Sequence, residues 1–284
     1  DGKIGTAELC KELCIRTPPF IACASLDEIK QAAANIGFPV IIKINRSQGG
    51  HGVFMCRDAP DIEKNAARLA NENVIVEKFI VGKDIGVEPL FLDGKLVAYS
   101  SYFTTCRMFN STISRRRTPY IHPDVTDILR KLGEATKLHG FGNLGFSCEA
   151  STGQLYLYEG DLRPNAWIAY GRFVGVDFAA ALKQYLRSGT CQPEKFFPRE
   201  QNNASHKLIT IYDRDITHVL RAFDFSGIAD WVFNRHQFWR LLPLSDLRLF
   251  FTINLRALGR VVLFVPKKIW RRLAGQKLEQ VNRL

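Results

Sequence analysis

The chain has 284 residues, 46% of them hydrophobic and 24% charged, an ordinary balance for a globular protein of one large domain or two modest ones. Its formal charge of +11 is unevenly placed, with fourteen Lys and Arg against six Asp and Glu after residue 200. The basic character therefore belongs mainly to the tail and says little about the partner of the main domain. Seven cysteines, scattered and without a CxxC pair, exclude a structural zinc and point to a reducing compartment.

No secretory leader opens the sequence, and no apolar run of about 18 residues marks a membrane span. A cytoplasmic location is the expectation. In chain order, Lys3 to Leu13 reads as a helix with Leu9, Leu13 and the packed Cys10 and Cys14 on one face. Phe20 to Cys23 is a short strand. Ser25-Leu26-Asp27-Glu28 is a capping box opening a helix that ends near Gly37. Two apolar runs, Val40 to Ile44 and Val53 to Cys56, flank a loop with three glycines and form a hairpin. Pro60 starts a helix running to about Asn71, and Val74 to Ile80 is a strand followed by a turn at Val81 to Asp84. Strands at Ile85 to Phe91 and Leu96 to Thr104 are joined by Asp93-Gly94-Lys95. A helix from Pro123 to near Gly140 precedes strands at Leu144 to Ala150 and Gln154 to Glu159, and Asp177 opens a last helix through Tyr185. Tight hairpins among mixed elements argue for an α+β fold rather than a doubly wound parallel sheet.

Three stretches carry chemistry. The glycine loop, with Lys43 on the strand before it, can wrap a polyphosphate, since glycines let backbone N–H groups approach an anion and the lysine adds a point charge. It can equally be an ordinary hairpin with an exposed lysine. It is not a P-loop, because no Gly-Lys-Ser/Thr opens a helix. Glu159 and Asp161 follow one strand, and Glu149 lies on the strand before it. One or two carboxylates completed by phosphates and water suit magnesium, and Arg163 could stabilise charge on a transferring phosphoryl group. The plain alternative is a solvated acidic turn. Glu77 and Asp84 flank Phe79 and Ile80, where backbone groups could hold a base and a carboxylate a ribose, or where a strand merely ends on a surface acid.

Taken together and in this order, these stretches resemble the ATP-grasp family over roughly residues 1–190. Phe38-Pro39-Val40-Ile41-Ile42-Lys43 with Gly49, Gly50, His51 and Gly52 looks like the family's strand lysine and glycine loop. Glu77, Lys78, Phe79 and Ile80 look like its adenine-binding hinge, Asp84 like its ribose acid, and Glu159-Gly160-Asp161-Leu162-Arg163 like its Glu-x-Asn-x-Arg metal motif, with Asp161 in place of asparagine. Lys3 matches an early basic residue that contacts phosphate. The family's first metal ligand falls near Gly145 or Ser147; the acid on that strand is Glu149. The resemblance implies two α+β lobes with ATP between them: residues 1–78 with the glycine loop, and 79–195 with the metal site. It implies ATP and Mg2+, with Mn2+ as a substitute, held by these residues. It further implies that Lys43 and Arg163 assist transfer of the γ-phosphoryl group to a substrate carboxylate, whose acyl phosphate is attacked by an amine or similar nucleophile. Arg107, Arg115, Arg116 and Asn165 are then the substrate-contact candidates, the arginines being otherwise a solvated basic loop. Relatives carry an α/β domain ahead of this region, so the chain reads as a fragment or a short form.

From Phe223 the character changes. Apolar and aromatic residues alternate with Arg248, Arg256 and Arg260, and Lys267-Lys268-Ile269-Trp270-Arg271-Arg272 follow. Residues 196–284 thus read as a basic helical tail, suited to a peripheral position at the inner, anionic membrane surface. It could instead pack on the enzyme or on a second subunit, as in a homodimer. Nucleic acid is a weaker partner, since no recognised module frames the charges. A non-catalytic membrane-surface or scaffold protein with a degenerate nucleotide site is the rival reading.

Overall fold

The computed structural model describes residues 2–47, 50, 52–107, 114–164, 168, 171, 175–189, 193–198, 243–256 and 258–259, with the backbone alone at 104–107 and 114–117. Two compact units result. The first comprises Asp1–Thr105, Asn110–Thr112 and Arg117–Lys207, and the second Cys106–Phe109, Ile113–Arg116 and Leu208–Leu284.

The first unit is built on two antiparallel sheets. The smaller has the order β1-β4-β2-β3, from β1 (Phe20–Cys23), β2 (Val40–Ile44), β3 (Val53–Cys56) and β4 (Val74–Lys78). Its buried face, Cys23, Val40, Ile42, Phe54, Cys56, Val74 and Val76, packs on Ile29, Ala32 and Ala33 of α2 (Leu26–Ile36) and Ile62 of α3 (Ala59–Lys64). Strand side chains alternate between faces, so the other face of the same strands carries Lys43, Val53, Met55 and Glu77. The Ser25 hydroxyl caps α2 by accepting the Glu28 N–H, while the Glu28 carboxylate accepts the Ala24 N–H rather than that of Ser25. The helix expected from Pro60 to Asn71 breaks at Asn65, giving α3 and a single turn, α4 (Ala66–Leu69). There the Asn65 amide donates to the Asp61 carbonyl and caps the first segment.

The larger sheet has the order β10-β9-β5-β6-β7, with β8 (Gly140–Phe141) beside β5. Its members are β5 (Gly82–Leu92), β6 (Lys95–Arg107), β7 (Ser114–Pro119), β9 (Asn143–Glu149) and β10 (Leu155–Asp161), the end of β6 from Cys106 and the start of β7 up to Arg116 being counted with the second unit. The turn expected at Val81 to Asp84 is instead the start of β5. Gly82, Lys83 and Asp84 pair with Glu149, Cys148 and Ser147. A side chain on Gly82 would collide with the Cys148 carbonyl, so glycine is what allows the strand to start there. Asp93 and Gly94, both at positive φ, make the two-residue turn between β5 and β6. Arg115 and Arg116, substrate-contact candidates that could equally have formed a solvated loop, fall in a strand, β7. One face of this sheet packs Ile85, Val87, Tyr99, Phe146 and Leu157 against Val125, Leu129 and Leu132 of α5 (Pro123–Thr136). Cys10 of α1 (Lys3–Glu12) and Ile15 join this core rather than that of the smaller sheet. Asp177 caps α6 (Phe178–Ser188) through its carboxylate.

In the second unit residues 247–256 are helical. The remaining expectations for the tail lie outside the described residues. Among the described residues no helix is long and apolar enough to cross a membrane.

Candidate functional site

Lys43 is the centre of the site. It is 6% exposed, on the face of β2 away from the α2 core. Its ammonium lies 2.6 Å from the Glu77 carboxylate on the adjacent strand β4, where the register sets Ile41 against Glu77 and Lys43 against Ile75. It also donates to the Tyr158 carbonyl at 2.8 Å and sits 5.0 Å from that residue's ring centroid. Burial raises the Glu77 carboxyl above its ordinary range, outweighing the pull of Lys43. Beside this pair, edge strand β3 leaves Val53 and Met55 40% and 44% exposed on the same face. The result is an open apolar shelf next to a buried ion pair.

Lys3 stands at the head of α1. Its ammonium donates to the carbonyls of Ile44, Asn45 and Ser47 and to the Ser47 hydroxyl, at 3.0–3.5 Å. The Asn45 side chain in turn accepts the Ile4 N–H at 3.0 Å. The helix start and the first residues of the glycine loop are thereby tied together. Partial burial lowers the Lys3 ammonium, against the opposing field of Glu159. Of the loop glycines, Gly50 has φ 77°, and Gly52 is buried against Ser47, where a Cβ would collide with the hydroxyl. Gly49 and His51 lie outside the described residues. In the hinge, the Lys78 and Phe79 amides are bonded to the carbonyls of Pro19 and Pro39 at 2.9 and 3.1 Å. Ile80 is buried and Lys78 exposed.

Glu159 and Asp161 reach the site through a β-bulge. Leu155 and Leu157 point into the α5 core, and counting by twos would send Glu159 and Asp161 after them. The pairing shifts between Leu157 and Glu159: Leu157 faces Phe146, but Glu159 faces Gly145 and Asp161 faces Asn143. The extra residue, Tyr158, reverses the parity and turns both carboxylates to the side of Asp84, Gly86 and Gly145. Glu159 stands at the mouth of the site, its carboxyl raised by lost hydration and then by Asp161, with Lys43 and Lys3 opposing. Asp161 pairs with Arg163 at 3.0 Å. Asp84 accepts a short hydrogen bond from the Tyr158 hydroxyl.

Glu149 requires a correction. It pairs with Gly82 at the far end of β9, four residues from Gly145, about 13 Å at the rise of a strand. Its carboxylate accepts from Thr152 at 2.6 Å and closes the β9–β10 turn. A metal on Glu159 is beyond its reach. Among the described residues no group of three His, Cys, Asp or Glu could hold a metal. Two carboxylates on one face of β10 remain, Glu159 and Asp161, a donor set that fits Mg2+ when nucleotide phosphates and water complete the octahedron. Arg107 is the last residue of β6, and Arg115 and Arg116 stand near the start of the neighbouring strand β7; their side chains, and Asn165, are outside the described residues. Tyr158, Val53 and Met55 escaped the sequence reading. The alternating Val53-Phe54-Met55-Cys56 pattern was the signal for the shelf, while nothing in the sequence marked Tyr158.

A four-stranded and a larger antiparallel sheet, with these residues drawn from both, make the ATP-grasp fold. The ATP-grasp domain family matches residues 8–87, a stretch that covers the smaller sheet and the start of β5. It is 37% identical over 75 residues to formate-dependent phosphoribosylglycinamide formyltransferase of Wolinella succinogenes, covering 25% of this chain and 19% of that one. It is 25% identical over 171 residues to carbamoyl-phosphate synthase of Methanobrevibacter smithii, covering 57% and 46%. The chain thus spans less than half the length of either relative. The biotin carboxylase domain of Hydrogenobacter thermophilus 2-oxoglutarate carboxylase, crystallised with MgADP and bicarbonate, superposes with a TM-score of 0.57 at 19% identity over 67% of this chain and 46% of that one.

Proposed function

We propose that the protein is an ATP- and Mg2+-dependent ligase that activates a small carboxylate as an acyl phosphate for attack by an amine or similar nucleophile. One observation carries the reading: the buried Lys43–Glu77 pair shares a sheet face with the exposed Val53–Met55 shelf and is bonded to the strand that presents Glu159 and Asp161. Adenine rests on the shelf and hinge (Glu77 to Ile80), Asp84 holds the ribose, and Lys43, Lys3 and the glycine-loop amides take the phosphates. Glu159 and Asp161 hold Mg2+, which neutralises phosphate charge when bound. A carboxylate oxygen attacks the γ-phosphorus as its bond to the ADP oxygen breaks. The nucleophile then adds to the acyl carbon, loses its proton and expels inorganic phosphate. Arg163 steers these anions.

The names of the relatives, a formate-dependent enzyme and a carbamoyl-phosphate synthase, together with the bicarbonate bound to the carboxylase neighbour, favour a one-carbon acid or a similarly small carboxylate. The test is MgATP binding, followed by ADP release screened over small carboxylates with and without amines. Wild-type protein that binds no ATP in the presence of Mg2+ refutes the reading.

A separate proposal concerns the tail. Leu247, Phe251 and Leu255, spaced by four on a helix, are 62%, 59% and 65% exposed, a stripe suited to an anionic membrane surface among flanking arginines. Equal flotation on anionic liposomes of the full chain and of one ending near Phe223 removes it.

A further inference from the structure

Tyr158 meets both the lysine and the ribose-acid candidate of the site. Its carbonyl accepts from Lys43 at 2.8 Å. Its ring lies under the same ammonium, 5.0 Å from it. Its hydroxyl donates to Asp84. The ring also fills the notch over Gly145, where an added Cβ would lie 2.8 Å from it. Tyr158 is at the same time the extra residue of the bulge that turns Glu159 and Asp161 to the site. A bulge frees its residue's backbone groups from the strand ladder and re-aims its side chain, which is how one residue can offer both its carbonyl and its ring to a single ammonium.

We propose that Tyr158 is a positioning residue for nucleotide phosphates. It fixes the Lys43 ammonium on the smaller sheet, and the Asp84 carboxylate on the larger one, relative to Glu159 and Asp161. The inference rests on the nucleotide reading above. Lys43 is nearly dry, and a cation over an aromatic face is worth most when desolvated. The ring keeps the ammonium pointed along β10 while it exchanges Glu77 for phosphate. The consequence is specific: loss of the ring penalises the outer phosphates, which Lys43 meets, and spares the base and α-phosphate.

The experiment compares ATP and AMP binding to the full chain with Mg2+, for wild type, Tyr158→Phe and Tyr158→Leu. Tyr158→Leu is expected to lower ATP affinity about tenfold more than AMP affinity, the scale of a desolvated cation–π contact, since the lost hydroxyl bond to Asp84 and the ribose weighs on both nucleotides alike. Tyr158→Phe keeps ring and carbonyl and restores the wild-type ratio of ATP to AMP affinity. An unchanged ratio in Tyr158→Leu, or equal loss of both nucleotides, overturns the inference; the second marks a purely structural role. Should Tyr158→Leu fail to fold, a cycle of Tyr158→Phe with Asp84→Asn decides: the double variant binds ATP no worse than the weaker single one if the hydroxyl acts through Asp84, and additive losses overturn that link. Wild type that binds neither nucleotide brings down the nucleotide reading and this inference together, whereas variant behaviour alone brings down only the inference.

Discussion

Replacing Lys43 by Met keeps the length and packing of the side chain but leaves Glu77 alone in a site where it is 4% exposed. A buried carboxylate without its cation does not stay charged; it takes up a proton. In the unfolded chain Glu77 titrates near 4.5, the ordinary carboxyl value. Holding it protonated at pH 7 therefore costs about 3.4 kcal/mol, which sets the ceiling on the loss from this group. The hydrogen bond to the Tyr158 carbonyl adds about 1 kcal/mol. The sign is clear. A carboxyl whose folded value lies above its unfolded one is penalised as pH rises through the unfolded value, and the penalty levels off only at the folded value. At pH 5 the Glu77 cost therefore shrinks to about 0.8 kcal/mol. Urea unfolding of wild type and Lys43→Met, followed by circular dichroism between pH 5 and 7, reads the difference, and Lys43→Met with Glu77→Gln should recover most of it. A Lys43→Met loss of the same size at pH 5 and pH 7 refutes the argument.

Other outcomes follow from the same structure. Glu159→Ala should abolish the Mg2+ dependence of ATP binding while Glu149→Ala leaves it unchanged; equal effects in titrations with and without Mg2+ would restore Glu149 to the metal site. Phe146→Ala opens a cavity in the core of the larger sheet, where the ring is fully buried, and should cost about 3–5 kcal/mol in urea unfolding. Burial pushes the thiols of Cys10 and Cys56 up to about 11, so thiolate forms only near that pH. Peptide mapping after alkylation at pH 8 should find exposed Cys14 labelled and Cys10 and Cys56 labelled only after unfolding. Gly86→Ala would drive a methyl group into the Tyr102 ring, and a melting temperature equal to wild type would show that the ring moves aside freely.

The α+β class and most elements were legible in the sequence because their causes are local. β-Branched runs make strands, Asp93-Gly94 supplies two residues that tolerate positive φ, and Ser25 and Asp177 supply helix caps whose bonds the structure contains. The order of lysine, hinge and acidic strand pointed to the ATP-grasp fold for the same reason, since it is a pattern along one chain. What the sequence did not disclose depends on pairing between strands. Gly82 looks like a turn residue until β9 is laid beside it. Glu149 looks adjacent to Glu159 in a short hairpin, yet the register puts them at opposite ends.

Leu155-Tyr156-Leu157-Tyr158-Glu159-Gly160-Asp161 shows the division most sharply. Its composition determined that a strand forms and that acids follow it. Only the tertiary pairing decided which face they meet. One residue inserted into a two-residue period reverses every side chain beyond it, and no local preference in this stretch says where the insertion falls. The bulge at Tyr158, selected by packing of Leu157 on one side and by Lys43 and Asp84 on the other, turns Glu159 and Asp161 out of the core and into the site.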